Sequence, residues 1–217
     1  LEQRSMVRSQ GLGRREFQWS KTWQVDSSLC SQARRDHHRV GTMPRNMNSL
    51  IAYGSLMSRP ELHRQGLSAM KASPVIVKGY RRSFSQEPAW RRGVGNQRGV
   101  LTVVPDERVS MNAILLSGLS ATAWVGLDER ERGYERVVVA GSQIVPFCDT
   151  STESVPSGAC LYVGIADYLN AALEPNAEYL RLCVEAARGW GDAFHQTFLE
   201  TTYVSGMKLA DYTAGST

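Results

Sequence analysis

The feature that most constrains this sequence is a succession of short apolar runs, rich in β-branched residues, with one helical pattern among them. The runs occupy residues 75–84, 99–104, 111–116, 134–140 and 160–163. Most of them are bounded by Gly, Pro, Asp or Ser, which is typical of strands joined by turns. Only residues 120–131 interrupt them with helical spacing. This order predicts a largely antiparallel or mixed sheet curled into a barrel, not regularly alternating βαβ units.

A further apolar run, residues 50–53, is followed by a turn and a helix signal. The run ends at Gly54 and Ser55, and Ser58 and Glu61 then have the spacing of a capping box. The order of strand, glycine turn and helix places unpaired backbone amides between a strand end and a helix start, where an anionic ligand group can bind. In the alternative interpretation, Gly54 only permits a tight turn.

One face of the predicted helix after Ser120 carries two acids. The positions i, i+3, i+4 and i+7 of this face are Trp124, Leu127, Asp128 and Glu131. Arg132 stands four residues after Asp128 and is expected to pair with it, which leaves Glu131 without a local partner. Burial at the negative end of a helix would raise the pKa of Glu131, as a general base requires. The alternative is that Glu131 is the frayed last residue of a surface helix.

Two helices are predicted near the C-terminal end. Asn176 is expected to cap the first, and Gly189 and Gly191 break it. The second starts after Asp192 and reaches residues 201–203. His195 would then lie on a different face from the apolar positions, so we interpret it as a surface or boundary residue and not as a base.

The basic charge of the chain is concentrated in residues 1–46. The whole chain carries a net charge of +4, and this segment has nine Lys and Arg against four Asp and Glu. Subtracting its excess of five leaves −1 for the residues that follow. A basic tail gives the folded part no electrostatic footprint, so we expect residues 47–217 to form a domain that does not bind nucleic acid.

Residues 1–46 are rich in Arg, Ser and Gln and show no sustained period, so we expect them to be disordered. Met43 and Met47 stand just before the first strand-like run, which makes either one a candidate for the natural start. Organellar targeting by this segment is the alternative. No apolar run approaches the ~20 residues needed to cross a bilayer, so a cytoplasmic location without membrane association is expected.

Several chemistries lack their sequence signature. The four cysteines stand far apart, so no metal site is predicted through Cys30, Cys148, Cys160 and Cys183. The sequence has no nucleophile-elbow motif, no phosphate-binding loop and no GxGxxG fingerprint. A loop at residues 86–98 carries Arg91, Arg92 and Arg98. It could close over an acidic ligand, or it could simply be solvated.

Three blocks of sequence together resemble the gamma-glutamyl cyclotransferase-like superfamily, which includes gamma-glutamylcyclotransferases and ChaC-like proteins. In chain order they are Tyr53-Gly54-Ser55-Leu56, Gly79-Tyr80-Arg81-Arg82, and Leu127-Asp128-x-Arg130-Glu131-x-Gly133-Tyr134. Residues 178–203 resemble the C-terminal helices of bacterial and plant members. The resemblance covers roughly residues 48–205, and the ordered set of blocks is more specific than any one of them.

The resemblance implies an α+β fold, a small mixed β-barrel flanked by helices, without a metal or organic cofactor. It implies an enzyme whose small-molecule substrate is a gamma-glutamyl compound, as in glutathione metabolism. In the implied reaction, the α-amine of the gamma-glutamyl group attacks its own side-chain carbonyl. The products are 5-oxoproline and an amine, amino acid or peptide. The alternative is a non-catalytic small-molecule-binding or interaction domain of the same fold.

The resemblance also implies roles for seven residues. Glu131 is implied as the general acid and base. The implied substrate-binding residues are Tyr53, Gly54, Ser55, Leu56, Tyr134 and Tyr203.

Departures from the family pattern leave the substrate open. Glutathione-specific ChaC members usually have an aromatic residue and a glycine just before the Tyr-Gly-Ser-Leu segment, where this chain has Leu50-Ile51-Ala52. They also have a second glycine before the tyrosine of the acidic motif, where this chain has only Gly133. Classical gamma-glutamyl cyclotransferases usually have Asn after the serine, where this chain has Leu56.

Overall fold

The computed structural model of the protein describes residues 47–88, 95–148 and 155–215. The strands in these ranges are β1 (Ser49–Ala52), β2 (Lys71–Gln86), β3 (Gln97–Ser117), β4 (Tyr134–Ala140), β5 (Ile144–Pro146), β6 (Gly158–Gly164), β7 (Glu174–Pro175), β8 (Thr202–Val204) and β9 (Met207–Lys208). The α-helices are α1 (Arg59–Arg64), α2 (Ala121–Arg130), α3 (Ala177–Arg188), α4 (Asp192–Thr201) and α5 (Leu209–Ala214). The predicted leader, residues 1–46, lies outside the described residues.

The strands form one mixed sheet. Its order is β4-β6-β1-β3-β2-β8-β9, and β5 and β7 pair with β2 and β3 respectively. The pairs β1–β6, β2–β8 and β3–β7 are parallel, and the other pairs are antiparallel. The predicted α+β class with a mixed sheet flanked by helices is therefore confirmed.

A bulge bends the long hairpin of β2 and β3. Lys78 pairs with Ser110 while Tyr80 pairs with Pro105, so residues 106–109 of β3 have no partner on β2 in this ladder. Gly79 lies at the shift with φ of +82°, a conformation that glycine adopts without steric cost. A bulge bends its strand and increases the twist. The two halves of β2 accordingly pair with different strands, the first with β5 and the second with β8.

Side chains join the β4–β6 edge of the sheet to the far halves of β2 and β3. The hydroxyl of Tyr134 donates to the carbonyl of Leu101 at 2.7 Å, and the amide of Gly164 donates to Thr102 Oγ1 at 2.9 Å. Gln86 Nε2 donates to the carbonyl of Gly133 at 2.9 Å. These bonds join parts of the sheet that are distant in the strand order, and the bond to Gly133 fixes the turn that precedes β4.

A fully buried arginine on β2 ties the sheet to the C-terminal helices. Arg82 has no exposed surface, and its guanidinium lies 4.1 Å from the centre of the Phe198 ring. Its donors reach Thr202 Oγ1 (2.8 Å), Asn112 O and Oδ1 (both 2.8 Å), Thr201 Oγ1 (3.2 Å) and Tyr53 O (3.2 Å). All these acceptors are neutral, and burial lowers the pKa of Arg82 to about 9.

The helices begin where their caps predict. Ser58 Oγ accepts from the Glu61 amide at 3.4 Å, and Asn176 Oδ1 accepts from the Tyr179 amide at 3.1 Å. Ser120 Oγ caps α2 in the same way. The predicted second C-terminal helix is shorter than expected, because Thr202 leaves α4 to pair with β2.

Candidate active site

A loop at residues 53–56 joins β1 to α1 and lines a pocket. Tyr53 donates its hydroxyl proton to the carbonyl of Tyr162 at 2.8 Å, and a single 3-10 turn, Ser55–Met57, follows Gly54. Within the described parts of the chain, no residue accepts a hydrogen bond from the backbone N–H of Gly54, Ser55 or Leu56. Since these residues line the pocket, their amides are candidates to bind an oxygen of a ligand.

Gly54 is required by packing against α3. A Cβ at this position would lie 2.9 Å from the hydroxyl of Tyr179 and 3.6 Å from a methyl group of Leu101. Real Cβ atoms essentially never approach another atom to 2.9 Å. The glycine therefore allows the loop and the Tyr179 hydroxyl to lie in contact at the wall of the pocket.

Glu131 lies just past the end of α2 and lines the same pocket. Its side chain is 16% exposed, so the interpretation as a frayed residue on the surface is wrong. Burial raises the pKa of the Glu131 carboxyl above its ordinary value, and nearby Glu61 acts in the same direction. The neighbouring guanidinium of Arg130 opposes this rise.

Arg130 is the local partner that sequence analysis did not assign to Glu131. Its Nη1 donates to Glu131 Oε1, while its Nη2 donates to Ser55 Oγ at 3.0 Å and to Glu61 Oε1 at 3.3 Å. Adjacent residues do not face each other inside a helix. Here α2 ends at Arg130 and Glu131 has left helical geometry, with ψ of 34°, so the two side chains meet.

The predicted pairing of Asp128 with Arg132 is also wrong. Arg132 pairs instead with Glu129 at 3.1 Å. Asp128 Oδ1 accepts from the hydroxyl of Tyr162 at 2.6 Å and from Arg136 Nε at 3.1 Å. The i, i+4 rule fails here because Arg132 lies beyond the helix end, whereas β4 brings Arg136 back towards α2.

The pocket brings together six of the seven residues predicted for the site. The predicted residues that line it are Tyr53, Gly54, Ser55, Leu56, Glu131 and Tyr134. Tyr203 does not line it. Tyr203 lies on β8, paired with Ser83 of β2, and the guanidinium of Arg81 lies 5.6 Å from the centre of its ring. The substrate-binding role expected for Tyr203 came from the family-like C-terminal block, and the fold places this tyrosine outside the pocket lining.

Four further residues belong to the site or its wall. Arg130, Tyr162 and Tyr179 line the pocket, and Glu61 contacts it through Arg130. Arg130 was visible in the family-like block beside Glu131, and Tyr179 was visible as an apolar position of α3. The capping-box spacing marked Glu61 only as part of a helix cap, and no local pattern marked Tyr162. Only the folded chain brings these two residues near the site.

The predicted cationic loop is described only at its two ends. Arg91 and Arg92 lie outside the described residues. Arg98 pairs with Glu87, with 2.7 Å between Nη2 and Oε1, so its charge is engaged across the base of the loop. Pro88 lines the pocket at the point where the description stops.

The described residues meet the requirements of neither a metal site nor a membrane-spanning helix. No group of three or more His, Cys, Asp or Glu residues there is arranged to hold a metal ion. None of the helices described has both the length and the apolarity that a membrane span needs.

Comparison with solved structures defines the class of fold. A gamma-glutamyl cyclotransferase is 13% identical, covers 70% of this chain and 85% of its own, and gives a TM-score of 0.53. YkqA from Bacillus subtilis is 16% identical over 70% of this chain and 52% of its own, with a TM-score of 0.54. An uncharacterised protein from Homo sapiens is 15% identical over 70% and 85%, with a TM-score of 0.53. At these identities the likeness establishes the fold.

The family follows from the sequence itself. The model of the ChaC-like protein family matches residues 49–189, which is more than half of the chain, and the protein belongs to this family. No curated protein matches the sequence. The predicted membership of the gamma-glutamyl cyclotransferase-like superfamily is confirmed.

Proposed function

We propose that the protein is a gamma-glutamyl cyclotransferase, which converts a gamma-glutamyl compound into 5-oxoproline and a released amine. One observation carries the proposal: Glu131 lines the same pocket as Gly54, Ser55 and Leu56, whose backbone amides have no acceptor among the described residues. An acid that can move a proton and a donor set that can hold an oxygen are the two parts that this reaction needs. Membership of the ChaC-like family supports the same activity.

The 53–56 loop is suited to the gamma-glutamyl group. Its free amides can bind the substrate carboxylate or polarise the side-chain carbonyl, and both are oxygens with negative charge or partial charge. The hydroxyls of Tyr53 and Tyr134 donate to backbone carbonyls, so these two side chains shape the wall. We therefore assign the contacts with substrate oxygens to the backbone of the loop and not to these phenols.

The proposed reaction is an intramolecular transfer. The α-amine nitrogen attacks the side-chain carbonyl carbon, and a new C–N bond closes the five-membered ring. The C–N bond to the leaving amine then breaks. The Glu131 carboxylate takes the proton that the attacking nitrogen loses and returns it to the leaving nitrogen, so no water is consumed. Because nucleophile and carbonyl belong to one molecule, ring closure requires no second reactant to be captured.

The environment of Glu131 suits this proton transfer. An α-amino group titrates near ~8 and an ordinary Glu near ~4.3, so an unperturbed carboxylate is a poor match. Burial raises the pKa of Glu131 and narrows that gap. A positioned acid or base typically contributes about 10²- to 10⁴-fold in rate.

The proposed reaction is compatible with several leaving groups. Released amines, amino acids and peptides all fit the chemistry, and glutathione is one gamma-glutamyl peptide to be included. A panel should therefore hold glutathione, a gamma-glutamyl amino acid and a gamma-glutamyl alkylamine. A 5-oxoproline product common to all three makes their turnover directly comparable.

The test is 5-oxoproline formation by purified protein from this panel, measured by mass spectrometry. Glu131→Gln should lower kcat by about 10²- to 10⁴-fold. The matched control is Glu129→Gln, which removes a carboxylate two residues away that is 73% exposed, and it should retain activity. Equal activity of Glu131→Gln and wild type would remove Glu131 from the mechanism. No turnover of any compound, together with a ligand-induced rise in Tm, would favour a binding domain instead.

A further inference from the structure

Glu61 lies outside the residues that the proposed reaction uses, yet its carboxylate faces the site. Its side chain is only 12% exposed. In a full capping box the acid at N3 turns back to the N-cap amide. Here the Ser58 amide donates to the Ser55 carbonyl at 3.0 Å, and the Glu61 carboxylate points to Arg130. Capping therefore does not explain where this carboxylate lies.

Both oxygens of Glu61 are held in place. Oε2 lies 2.5 Å from Arg64 Nη2, and Oε1 accepts from Gln65 Nε2 at 3.3 Å. These contacts come from the next turn of α1. They leave Oε1 directed at Arg130 Nη2, 3.3 Å away. A carboxylate fixed from its own helix can in turn fix the guanidinium that it contacts.

Arg130 divides its two terminal nitrogens between different partners. Nη1 contacts Glu131, while Nη2 contacts both Ser55 and Glu61. A guanidinium that is free to rotate would place both nitrogens on one carboxylate, which is its strongest arrangement. Glu131 therefore receives one of the two nitrogens, because Glu61 and Ser55 hold the other. We call Arg130 with these three partners, Ser55, Glu61 and Glu131, the Arg130 clamp.

We propose that Glu61 is a positioning residue for Glu131, which acts through Arg130 by holding one of its nitrogens away from the Glu131 carboxylate. Glu61 does not itself line the pocket and touches no reacting atom in this role. The consequence for Glu131 is that a buried carboxylate keeps a neighbouring cation without being fully neutralised by it. The consequence for turnover rests on the proposed function, whereas the electrostatic consequence does not.

The other titratable and charged groups that line the pocket affect the charge around Glu131 less than the Arg130 clamp does. The tyrosines of the pocket are Tyr53, Tyr134, Tyr162 and Tyr179. Burial raises the pKa of Tyr53, Tyr162 and Tyr179, so these phenols stay neutral while a carboxyl titrates. Arg132 also lines the pocket, but its side chain is 68% exposed, so solvent screens its charge whether or not its partner Glu129 is present.

The test is the titration of the Glu131 carboxyl in full-length protein labelled with ¹³C at the glutamate carboxyl carbon. Its NMR signal is assigned by its loss in Glu131→Gln. Glu61→Gln should lower the pKa of Glu131, because a neutral amide holds Arg130 less strongly than a carboxylate does and because a like charge is gone. Arg130→Gln should raise the same pKa. The control Glu129→Gln should leave it unchanged.

The double variant Glu61→Gln/Arg130→Gln decides whether Glu61 acts through Arg130. If it does, Glu61→Gln should shift the pKa of Glu131 less in the Arg130→Gln background than in wild type. An equal shift in both backgrounds, or no shift in wild type, would overturn the proposal. Glu61→Gln keeps the volume of Glu61 and one neutral acceptor oxygen in place of two charged ones, and Arg130→Gln approaches the clamp from its other side, should the first variant not fold.

The same variants separate this inference from the proposed function. The acid limb of kcat/KM should move to lower pH in Glu61→Gln and to higher pH in Arg130→Gln. Titration by NMR requires no substrate. Absence of 5-oxoproline formation would therefore reject the activity while the carboxyl titration still decides the clamp, and turnover with an unmoved acid limb would reject the clamp alone.

Discussion

One fully buried and one partly buried arginine hold the 53–56 loop, and they do so by different chemistry. Arg82 lies beneath the loop, donates to the Tyr53 carbonyl and contacts only neutral acceptors. Arg130 lies at the pocket, donates to Ser55 Oγ and contacts two carboxylates. Burial lowers the pKa of Arg82, whereas for Arg130 the pull of the carboxylates outweighs burial and raises the pKa.

The difference separates a structural cation from one that belongs to a site. Arg82 has every donor engaged by rigid backbone or short side chains and no exposed surface, so it fixes geometry. Arg130 keeps 14% of its side chain exposed and shares its charge between two acids, one of which faces the pocket. Its charge can therefore be redistributed when a partner is removed or a ligand arrives.

The largest expected effect comes from removing the structural arginine. Arg82→Ala leaves several buried acceptors unpaired and opens a cavity, so it should destabilise the fold by roughly 3–5 kcal/mol. Arg130→Gln should lower stability less, by about 1–2 kcal/mol, because Gln retains a donor at this position and Glu61 keeps its contacts with Arg64 and Gln65. Urea unfolding of both variants measures the contrast. Equal losses in the two variants would erase the distinction between them.

A smaller effect is expected at Gly54, which lies between the two points where the arginines hold the loop. Gly54→Ala forces a Cβ to 2.9 Å from the Tyr179 hydroxyl, so it should destabilise the protein by about 1–3 kcal/mol. It should also lower 5-oxoproline formation by about 10-fold or more, because the loop amides move.

The matched control for Gly54 is Gly126→Ala, in the middle of α2. A Cβ there meets nothing within 4 Å, and replacing a glycine in a helix interior should stabilise the protein by up to about 1 kcal/mol. Thermal unfolding and the product assay are run on both variants. If Gly54→Ala leaves stability and rate unchanged, Tyr179 of α3 must move away to accommodate the added methyl group.

The fold was largely predictable because its signals are local. Runs of β-branched residues marked β2, β3, β4 and β6, and side-chain caps marked the starts of α1, α2 and α3. What the sequence could not supply is how the sheet closes. The bonds from Tyr134, Gln86 and Gly164 join residues 33 to 62 positions apart, and no period in the chain records such contacts.

The site was predictable where the family-like blocks supplied residues, and not where partners had to be chosen. Helical spacing gave Asp128 the wrong partner and gave Glu131 none, because α2 ends between them and the i, i+4 rule ends with it. Glu61 was interpreted as part of a cap. Its contact with Arg130 spans 69 residues of chain and exists only in the folded protein.

The smallest expected effect tests whether Glu131 is held at a cost to stability, in contrast to Arg82, whose removal costs stability. Because the folded-state pKa of Glu131 is raised, the carboxyl ionises more easily in the unfolded chain. Folding is therefore penalised at pH values above the unfolded-state pKa, and the penalty disappears as the pH falls below it. Glu131→Gln removes a group that the fold must keep charged in poor solvent.

At pH 7 we expect Glu131→Gln to raise Tm by about 2–4 °C, the change that ~1 kcal/mol produces in a domain of this size. The gain should shrink as the pH falls through ~4.3, where the carboxyl of wild type becomes protonated in both states. Differential scanning calorimetry at a series of pH values measures it, with Glu129→Gln as the exposed control. If Glu131→Gln is more stable than wild type but inactive, the charge of Glu131 is needed for proton transfer and destabilises the fold. A lowered Tm at pH 7 would instead mean that the ion pair with Arg130 outweighs burial, and Glu131 would then share the structural role of Arg82.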